Sequence, residues 1–332
     1  MTAPNDMNAL AELVQSGDRR GLAQAITVIE STREAHRLQA DALLRLLLPH
    51  SGKSLRIGIS GVPGVGKSTF VEVFGLHIVE QGRRVAVLAV DPSSKISGGS
   101  ILGDKTRMEA LGKHPSAFIR PSPAGGTLGG VARRTREAMI VCEAAGYDVV
   151  IVETVGVGQS ETAVKDLTDL FLLLLLPGGG DELQGMKKGI VELADIILVN
   201  KSDGDMEAAA RHAASDYSNA LHFLRPASPN WTVPVGTCSA LTGAGVAEAW
   251  DTVLKYQAAM MDGDVLGRRR SDQARNWLWS EVGDALMIAL KSHKDIRDIS
   301  RKLEDDVARG DITPSMAAQR MLRMFMERSI TS

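Results

Sequence analysis

The feature that most constrains this chain is a glycine-rich octapeptide, Gly61–Ser68, which lies between a short apolar run and a helix-like stretch. It reads Gly-Val-Pro-Gly-Val-Gly-Lys-Ser and matches the pattern G-x-x-x-x-G-K-[ST]. Glycines let the backbone wrap closely around an anion, and the backbone N–H groups and the following helix N-terminus favour negative charge. We therefore predict a nucleotide-phosphate site formed by Gly61, Val62, Pro63, Gly64, Val65, Gly66, Lys67, Ser68 and Thr69.

Apolar runs alternate with helix-like stretches between residues 54 and 256. Short, nearly unbroken runs of this kind are typical of parallel strands buried on both faces, and the alternation indicates βαβ units. The runs are Leu55–Ser60, Arg84–Val90, Ala117–Ile119, Val149–Val152, Phe171–Leu176, Ile196–Val199 and Val233–Cys238. The sequence thus predicts an α/β fold with a doubly wound, mostly parallel sheet.

Both ends of the chain have helical periodicity. Leucine, isoleucine and valine recur at helical spacing before residue 50, and the same spacing returns after Tyr256. A basic segment, Gly267–Ser271, is interpreted as a link, and Pro314 suits a helix start. We expect an N-terminal helical extension over 1–53, a P-loop domain over 54–256 and a C-terminal helical region over 257–332.

Charge and composition exclude several classes of protein. With 38 basic and 40 acidic residues, the chain has no net field that favours nucleic acid or an anionic membrane. Aromatic residues make up 4% of the chain, too few for a platform that stacks single-stranded bases. Cys142 and Cys238 have no metal-type spacing, and residues 1–16 lack a secretory pattern. A cytoplasmic protein without nucleic-acid or membrane partners is predicted.

A second motif, Asn200-Lys-Ser-Asp203, directly follows the run Ile196–Val199 and indicates the base that is bound. The Asp203 carboxylate can accept hydrogen bonds from N1–H and the exocyclic amine of guanine, whereas adenine has no N1–H. Asn200 would fix the loop, and the stem of Lys201 would cover the base. Sites built on such bonds reject the wrong partner strongly. We predict guanine specificity, with Ser239, Ala240 and Leu241 completing the pocket.

Acidic residues at predicted strand ends suit a magnesium site. Asp91 and Glu153 each end a strand, and the carboxyl ends of parallel strands face the ligand in such sheets. Mg²⁺ prefers oxygen ligands, so we expect Ser68, Asp91 and Glu153 to hold it, with Asp104 from a polar loop. The backbone N–H of Gly156 is expected to contact the γ-phosphate.

These motifs together resemble the MeaB/ArgK/MMAA family of SIMIBI-class P-loop GTPases, and most closely the MeaB branch. The glutamate at position 153, where many GTPases carry aspartate, is typical of that group. The resemblance covers almost the whole chain and rests on Gly61–Ser68, Val90–Ser93, Arg120–Pro123, Gly129–Gly130, Glu153–Gly156 and Asn200–Asp203.

The resemblance implies a GTPase chaperone for adenosylcobalamin-dependent methylmalonyl-CoA mutase, which gates cofactor loading and protects the mutase from inactivation. It implies GTP or GDP bound with Mg²⁺, and a homodimer held largely by the C-terminal region. Because the chain carries no cobalamin-binding signature of the D-x-H-x-x-G kind, cobalamin would be contacted through the mutase.

Hydrolysis is expected to be slow without a partner. No glutamine directly follows Gly156, and Gln159 is a weak substitute for a water-positioning residue. The resemblance implies that the glycine-rich loop 178–189 is an additional switch, with functional positions at Asp181, Glu182, Gln184 and Lys187. Arg107 is a further candidate for partner contact. The residues predicted to act in catalysis are Lys67, Glu153 and Lys187.

Two alternatives remain open. One is a metallochaperone GTPase for another metalloenzyme, although seven scattered histidines give no metal-binding tract. The other is a kinase acting on a periplasmic transport component, an activity attached to the ArgK branch. The guanine pocket argues against a general ATP-using kinase, and comparing ATP with GTP affinity would separate these hypotheses.

Overall fold

A computed structural model describes residues 6–31, 33–90, 108–121, 128–154, 160–178, 188–222, 228 and 231–329. The chain divides into two compact units, Met1–Ser271 and Asp272–Ser332. The domain boundaries predicted at 53/54 and 256/257 stay predictions. The division into units lies after Ser271 and reflects only how compactly each part of the chain packs.

A seven-stranded sheet, with every described pair of neighbours parallel, forms the centre of the first unit. Its order is β3-β2-β4-β1-β5-β6-β7. From β1 the chain forms β2 and β3 on one side, returns to place β4 between β1 and β2, and then forms β5, β6 and β7 on the other side, as in a doubly wound fold. The predicted α/β class is therefore confirmed. The strands are β1 Leu55–Gly61, β2 Val85–Val90, β3 Ala117–Arg120, β4 Val149–Thr154, β5 Leu170–Leu175, β6 Ile196–Val199 and β7 Val235–Thr237.

The strands are buried because their side chains are apolar on both faces. All described residues of β2, β4, β5 and β6 are buried, which explains runs without polar alternation. Six of the seven predicted runs differ from the observed strands by at least one residue, and the differences reach two residues in β4 and β7. β4 continues through Glu153 and Thr154, since its backbone pairs with β2 to that point. β7 is shorter than the run Val233–Cys238, since its pairing with β6 covers Val235–Thr237 only.

Helices cover the sheet and form the N-terminal extension. Side chains of Asp6 and Asp18 cap the first two helices by accepting backbone N–H bonds, a common way to begin a helix. The α-helices among the described residues of this unit are α1 Met7–Gln15, α2 Arg19–Glu30, α3 Glu34–Leu47, α4 Lys67–Glu80, α5 Glu109–Lys113, α6 Leu128–Ala144, α7 Ser160–Lys165, α8 Lys188–Leu193, α9 Glu207–Leu221 and α10 Val246–Met261.

The basic segment Gly267–Ser271 is helical, so its interpretation as a link was wrong. It lies within α11, Val265–Ser292, and two of its three arginines bond to buried groups instead of solvent. Arg270 donates to both carboxylate oxygens of Asp169, at 2.7 and 2.6 Å. Arg269 donates to the hydroxyls of Ser228 and Tyr256, at 2.7 and 2.6 Å. These bonds thus hold the first turns of α11 beside the amino-terminal end of β5.

The second unit is helical, as predicted. It contains the rest of α11, then α12 Lys294–Arg309 and α13 Pro314–Ser329, which begins at the proline singled out in the sequence. Ile296 and Leu303 of α12 are buried, while several large apolar side chains of α11 are exposed.

Candidate active site

The glycine-rich octapeptide connects β1 to α4 at the carboxyl end of the sheet. Gly64 and Gly66 have φ of 79° and 92°, the left-handed region that favours glycine. A Cβ on Gly66 would lie 2.9 Å from the side-chain nitrogen of Asn200, so a larger residue would also collide there. Gly66 caps α4, which begins at Lys67. The loop therefore directs a helix N-terminus toward its own concave side, an arrangement that can bind phosphate.

The Lys67 ammonium is held inside this loop. Its Nζ donates to the carbonyl oxygens of Gly61 and Val62, at 2.7 and 3.2 Å, and the residue is buried. Val65 is fully buried and anchors the loop, whereas Pro63 and Thr69 are exposed. The predicted phosphate residues thus form one continuous loop that holds a cation on its inner side.

Ser68 and Glu153 come together from different elements. The Ser68 hydroxyl, in the first turn of α4, donates to a carboxylate oxygen of Glu153 at 3.0 Å. Glu153 lies near the end of β4 and is 3% exposed. Both groups present oxygen, the donor that Mg²⁺ prefers, beside the phosphate loop. These two residues therefore fit a magnesium ion.

Asn200 connects the phosphate loop with the predicted guanine-binding segments. Its side-chain nitrogen donates to the carbonyl oxygen of Val65 at 2.8 Å. Its side-chain oxygen accepts the backbone N–H of Ala240 at 3.0 Å. Asn200 is 1% exposed, and both the nitrogen and the oxygen of its side-chain amide have a hydrogen-bond partner within the protein, as buried polar groups generally do. This residue ties together three loops that leave β1, β6 and β7.

Cys238 is a site residue that the sequence interpretation missed. Its thiol donates to the side-chain oxygen of Asn200 at 3.6 Å. Burial raises the pKa of the Cys238 thiol to about 12, so the thiol keeps its proton and remains a donor at neutral pH. The only available sequence signal was its position directly before Ser239, at the end of the last apolar run.

The Asp203 carboxylate is oriented by the loop after β7. The hydroxyl of Ser239, which is fully buried, donates to Asp203 Oδ1 at 2.6 Å and accepts the backbone N–H of Thr242 at 3.2 Å. Asp203 is partly exposed, and Lys201 is exposed with a φ of 60°, uncommon for a residue with a side chain. Leu241 is also exposed, so this carboxylate lies at an accessible rim that can receive a base.

Several predicted residues lie outside the described part of the chain. They are the magnesium candidates Asp91 and Asp104, the phosphate contact Gly156, the water-positioning candidate Gln159, and the switch or partner residues Arg107, Asp181, Glu182, Gln184 and Lys187. Their roles stay predictions.

A family model described as "Methylmalonyl Co-A mutase-associated GTPase MeaB" matches residues 22–295. This match spans most of the chain and includes both the phosphate loop and the Asn200–Asp203 segment. The chain belongs to the MeaB family. The resemblance inferred from the motifs is therefore confirmed.

Relatives of this MeaB-family chain agree along nearly its whole length. A protein from Caulobacter vibrioides named "Putative GTPase" is 55% identical, covering 96% of this chain and 98% of its own. The Mus musculus "Methylmalonic aciduria type A homolog, mitochondrial" is 47% identical, covering 94% of this chain and 78% of its own. A crystal structure titled "LAO/AO transport system kinase" is similar with a TM-score of 0.78 and 36% identity, covering 98% and 99%.

This member of the MeaB family is a GTP-hydrolysing enzyme with a P-loop GTPase fold. P-loop GTPases generally bind their nucleotide with Mg²⁺. Among the described residues, there is no group of three or more histidine, cysteine, aspartate or glutamate side chains that could hold a metal ion by themselves. The helices placed by the structure include none that is long and apolar enough to span a bilayer.

Proposed function

We propose that this GTPase is a chaperone for adenosylcobalamin-dependent methylmalonyl-CoA mutase, gating cofactor loading and protecting the mutase from inactivation. The observation that carries the proposal is the family match over residues 22–295, whose description names association with that mutase. The relative named for methylmalonic aciduria type A, at 47% identity, supports the same partner. The cobalamin would be contacted through the mutase, and a cytoplasmic location is part of the proposal.

The nucleotide is bound at two ends in this proposal. The phosphates are held by the Lys67 ammonium and by backbone N–H groups of the loop Gly61–Thr69, in which Pro63 alone has no N–H to donate. The Asp203 carboxylate accepts from guanine N1–H and the exocyclic amine, while Asn200, Lys201 and the segment Ser239–Leu241 shape the pocket. The hydrogen bond of 2.6 Å from Ser239 to Asp203 supports this role, because it fixes the carboxylate that reads the base.

Magnesium would be held by Ser68 and Glu153, with Asp91 and Asp104 as further ligands. The distance of 3.0 Å between the Ser68 hydroxyl and the Glu153 carboxylate supports a shared role. When bound, the ion would neutralise charge on the phosphate oxygens. Around it, Lys67 supplies a second positive charge to the same oxygens, and Glu153 supplies a buried negative charge that favours a cation.

In this proposal the mutase accelerates GTP hydrolysis, which is slow in the isolated enzyme. Phosphoryl transfer depends mainly on positioning and charge stabilisation, and the position directly after Gly156 has no glutamine to orient water. Lys187, with Asp181, Glu182 and Gln184, would complete the site when the mutase binds. Arg107 would contact the partner, and Gly156 would report the γ-phosphate.

A homodimer would be held by the C-terminal region, 257–332. Support comes from α11, where the exposed side chains include Trp279, at 74%, and Leu286, at 55%. Large exposed apolar patches commonly mark protein interfaces. The domains would then be an N-terminal helical extension over 1–53, the GTPase domain over 54–256 and this dimerisation region.

A second candidate is favoured by one structural relative. The solved structure titled "LAO/AO transport system kinase" is 36% identical over nearly the whole chain. A kinase of this type would transfer the γ-phosphate to a protein side chain, whereas a GTPase releases it to water. Incubation with γ-labelled GTP and candidate transport proteins separates these outcomes, because only a kinase leaves label on protein.

Binding to the mutase tests the first proposal directly. The purified chain, loaded with GDP or a non-hydrolysable GTP analogue, is titrated into purified methylmalonyl-CoA mutase by calorimetry. We expect saturable binding whose affinity differs between the two nucleotides. If the titration gave no more heat than dilution does with either nucleotide, the mutase would be excluded as the partner. That result would not bear on the GTPase activity itself.

A further inference from the structure

Two buried hydroxyls form a pair where β1 and β4 approach the nucleotide site. Ser60 precedes the last residue of β1, and Thr154 is the last residue of β4. Their side-chain oxygens lie 2.9 Å apart, so one hydroxyl donates to the other. Both residues are 1% exposed. The pair therefore links two neighbouring parallel strands through side chains, in addition to their backbone ladder.

The pair is one residue away from two functional groups. Gly61 follows Ser60, and its carbonyl oxygen accepts the Lys67 ammonium at 2.7 Å. Glu153 precedes Thr154, and its carboxylate accepts the Ser68 hydroxyl at 3.0 Å. The end of β4 is thus attached near both ends of the phosphate loop. A displacement of β4 relative to β1 would move the Glu153 carboxylate away from the loop.

Stability alone gives little reason for hydroxyls at these positions. The rest of β1 and β4 is largely apolar, and alanine or valine would fill similar space without needing a partner. A buried hydroxyl is costly unless it is hydrogen-bonded, and the bond mainly offsets that cost. What the pair adds over an apolar contact is direction, because a hydrogen bond restricts both distance and angle.

We propose that Ser60 and Thr154 are positioning residues for GTP hydrolysis. Their hydrogen bond fixes the end of β4, and hence Glu153, relative to the phosphate loop. The bond acts on the geometry of the hydrolytic step, while nucleotide retention depends on the loop and the guanine pocket.

Substitutions that separate geometry from stability test this proposal. Thr154→Val keeps the shape and removes the hydroxyl, leaving Ser60 without this partner. The double variant Ser60→Ala/Thr154→Val removes both hydroxyls and the burial cost together. Thr154→Ser retains a hydroxyl. For each variant, single-turnover GTP hydrolysis, GDP affinity and the urea unfolding midpoint are measured on the full chain.

We expect Thr154→Val to hydrolyse GTP about tenfold more slowly, since small misplacements of reacting groups have effects of this order or larger. Its GDP affinity should stay within about twofold of the wild-type value, because the contacts that bind the nucleotide equally in the ground state and in the transition state are unchanged. Thr154→Ser should recover most of the rate. The double variant should regain the unfolding midpoint of the wild type but not its rate.

A matched control is Thr168→Val. Thr168 is fully buried, and its hydroxyl donates to the Val164 carbonyl at 2.8 Å. It precedes β5, at the amino-terminal end of that strand. This variant should lose stability and keep its hydrolysis rate. Two results would overturn the proposal. One is a wild-type rate for Thr154→Val. The other is a double variant in which rate and unfolding midpoint recover together, which would make the pair purely structural.

Discussion

Replacement of Asp203 by asparagine is expected to change the base that this GTPase binds. The Ser239 hydroxyl donates to Asp203 Oδ1 at 2.6 Å, so an asparagine would keep its oxygen at that position and place its amide nitrogen where Oδ2 lies. The nitrogen would then face the donors of guanine, and two hydrogen bonds to a charged acceptor would be lost or weakened. Xanthine carries a carbonyl oxygen in place of the exocyclic amine, and it would accept from the new amide.

The magnitude follows from the number of bonds. Hydrogen bonds to a charged group contribute about 1.5–3 kcal/mol each, so two of them amount to about 3–6 kcal/mol. At about 1.4 kcal/mol per tenfold change, GTP affinity should fall about 10²–10⁴-fold. XTP should become the preferred nucleotide of the variant, and ATP should bind poorly to both proteins.

Competition against a fluorescent guanine nucleotide gives the wild-type affinities, and direct titration with GTP, XTP and ATP gives those of the variant. Asp205→Asn is the control, because Asp205 is an exposed carboxylate two residues further along. It should bind GTP as the wild type does. Adding Ser239→Ala to Asp203→Asn should reduce the preference for XTP, because the amide is then free to rotate. Unchanged GTP affinity in Asp203→Asn, or no gain for XTP, would refute the assignment of Asp203.

Four further outcomes are expected. Glu153→Gln, which removes a charge but keeps an oxygen, should raise the Mg²⁺ concentration needed for half-maximal hydrolysis by about 10–100-fold in a metal titration; an unchanged titration contradicts the magnesium assignment. Arg270→Met should destabilise the chain by about 3–5 kcal/mol in urea unfolding, because a buried carboxylate loses its cation, while the exposed Arg275→Met should change little. Lys187→Ala should keep the basal GTPase rate and lose stimulation by mutase; retained stimulation removes the switch role. Deleting the compact unit 272–332 should leave a monomer in light scattering, and a truncated chain that still has the mass of two copies would exclude that unit as the dimer interface.

Features carried by contiguous residues could be predicted from the sequence. The phosphate loop is one example, because glycines, lysine and serine within eight residues already define its chemistry. The strands β1, β2 and β6 are another, because an unbroken apolar run fits burial on both faces of a parallel sheet. Pro314 was likewise recognisable as a helix start, since proline is tolerated in the first turn.

Features that depend on distant partners could not be predicted. The segment Gly267–Ser271 has the composition of a solvated link, and only the fold shows Arg270 reaching Asp169, 101 positions earlier. Asn200 was expected to fix its own loop, but its amide also reaches Val65, 135 positions away. The Ser60–Thr154 pair depends on strand register, which follows from the assembled sheet rather than from either strand.

The central claim, that this GTPase serves methylmalonyl-CoA mutase, is tested most directly by GTP turnover with and without that mutase. The rate of phosphate release is measured at fixed GTPase concentration while purified mutase is added, with an unrelated acyl-CoA enzyme as the control. The account predicts slow release alone and a saturable increase with mutase only. Release that is already fast in isolation, or that does not change at saturating mutase, would contradict it.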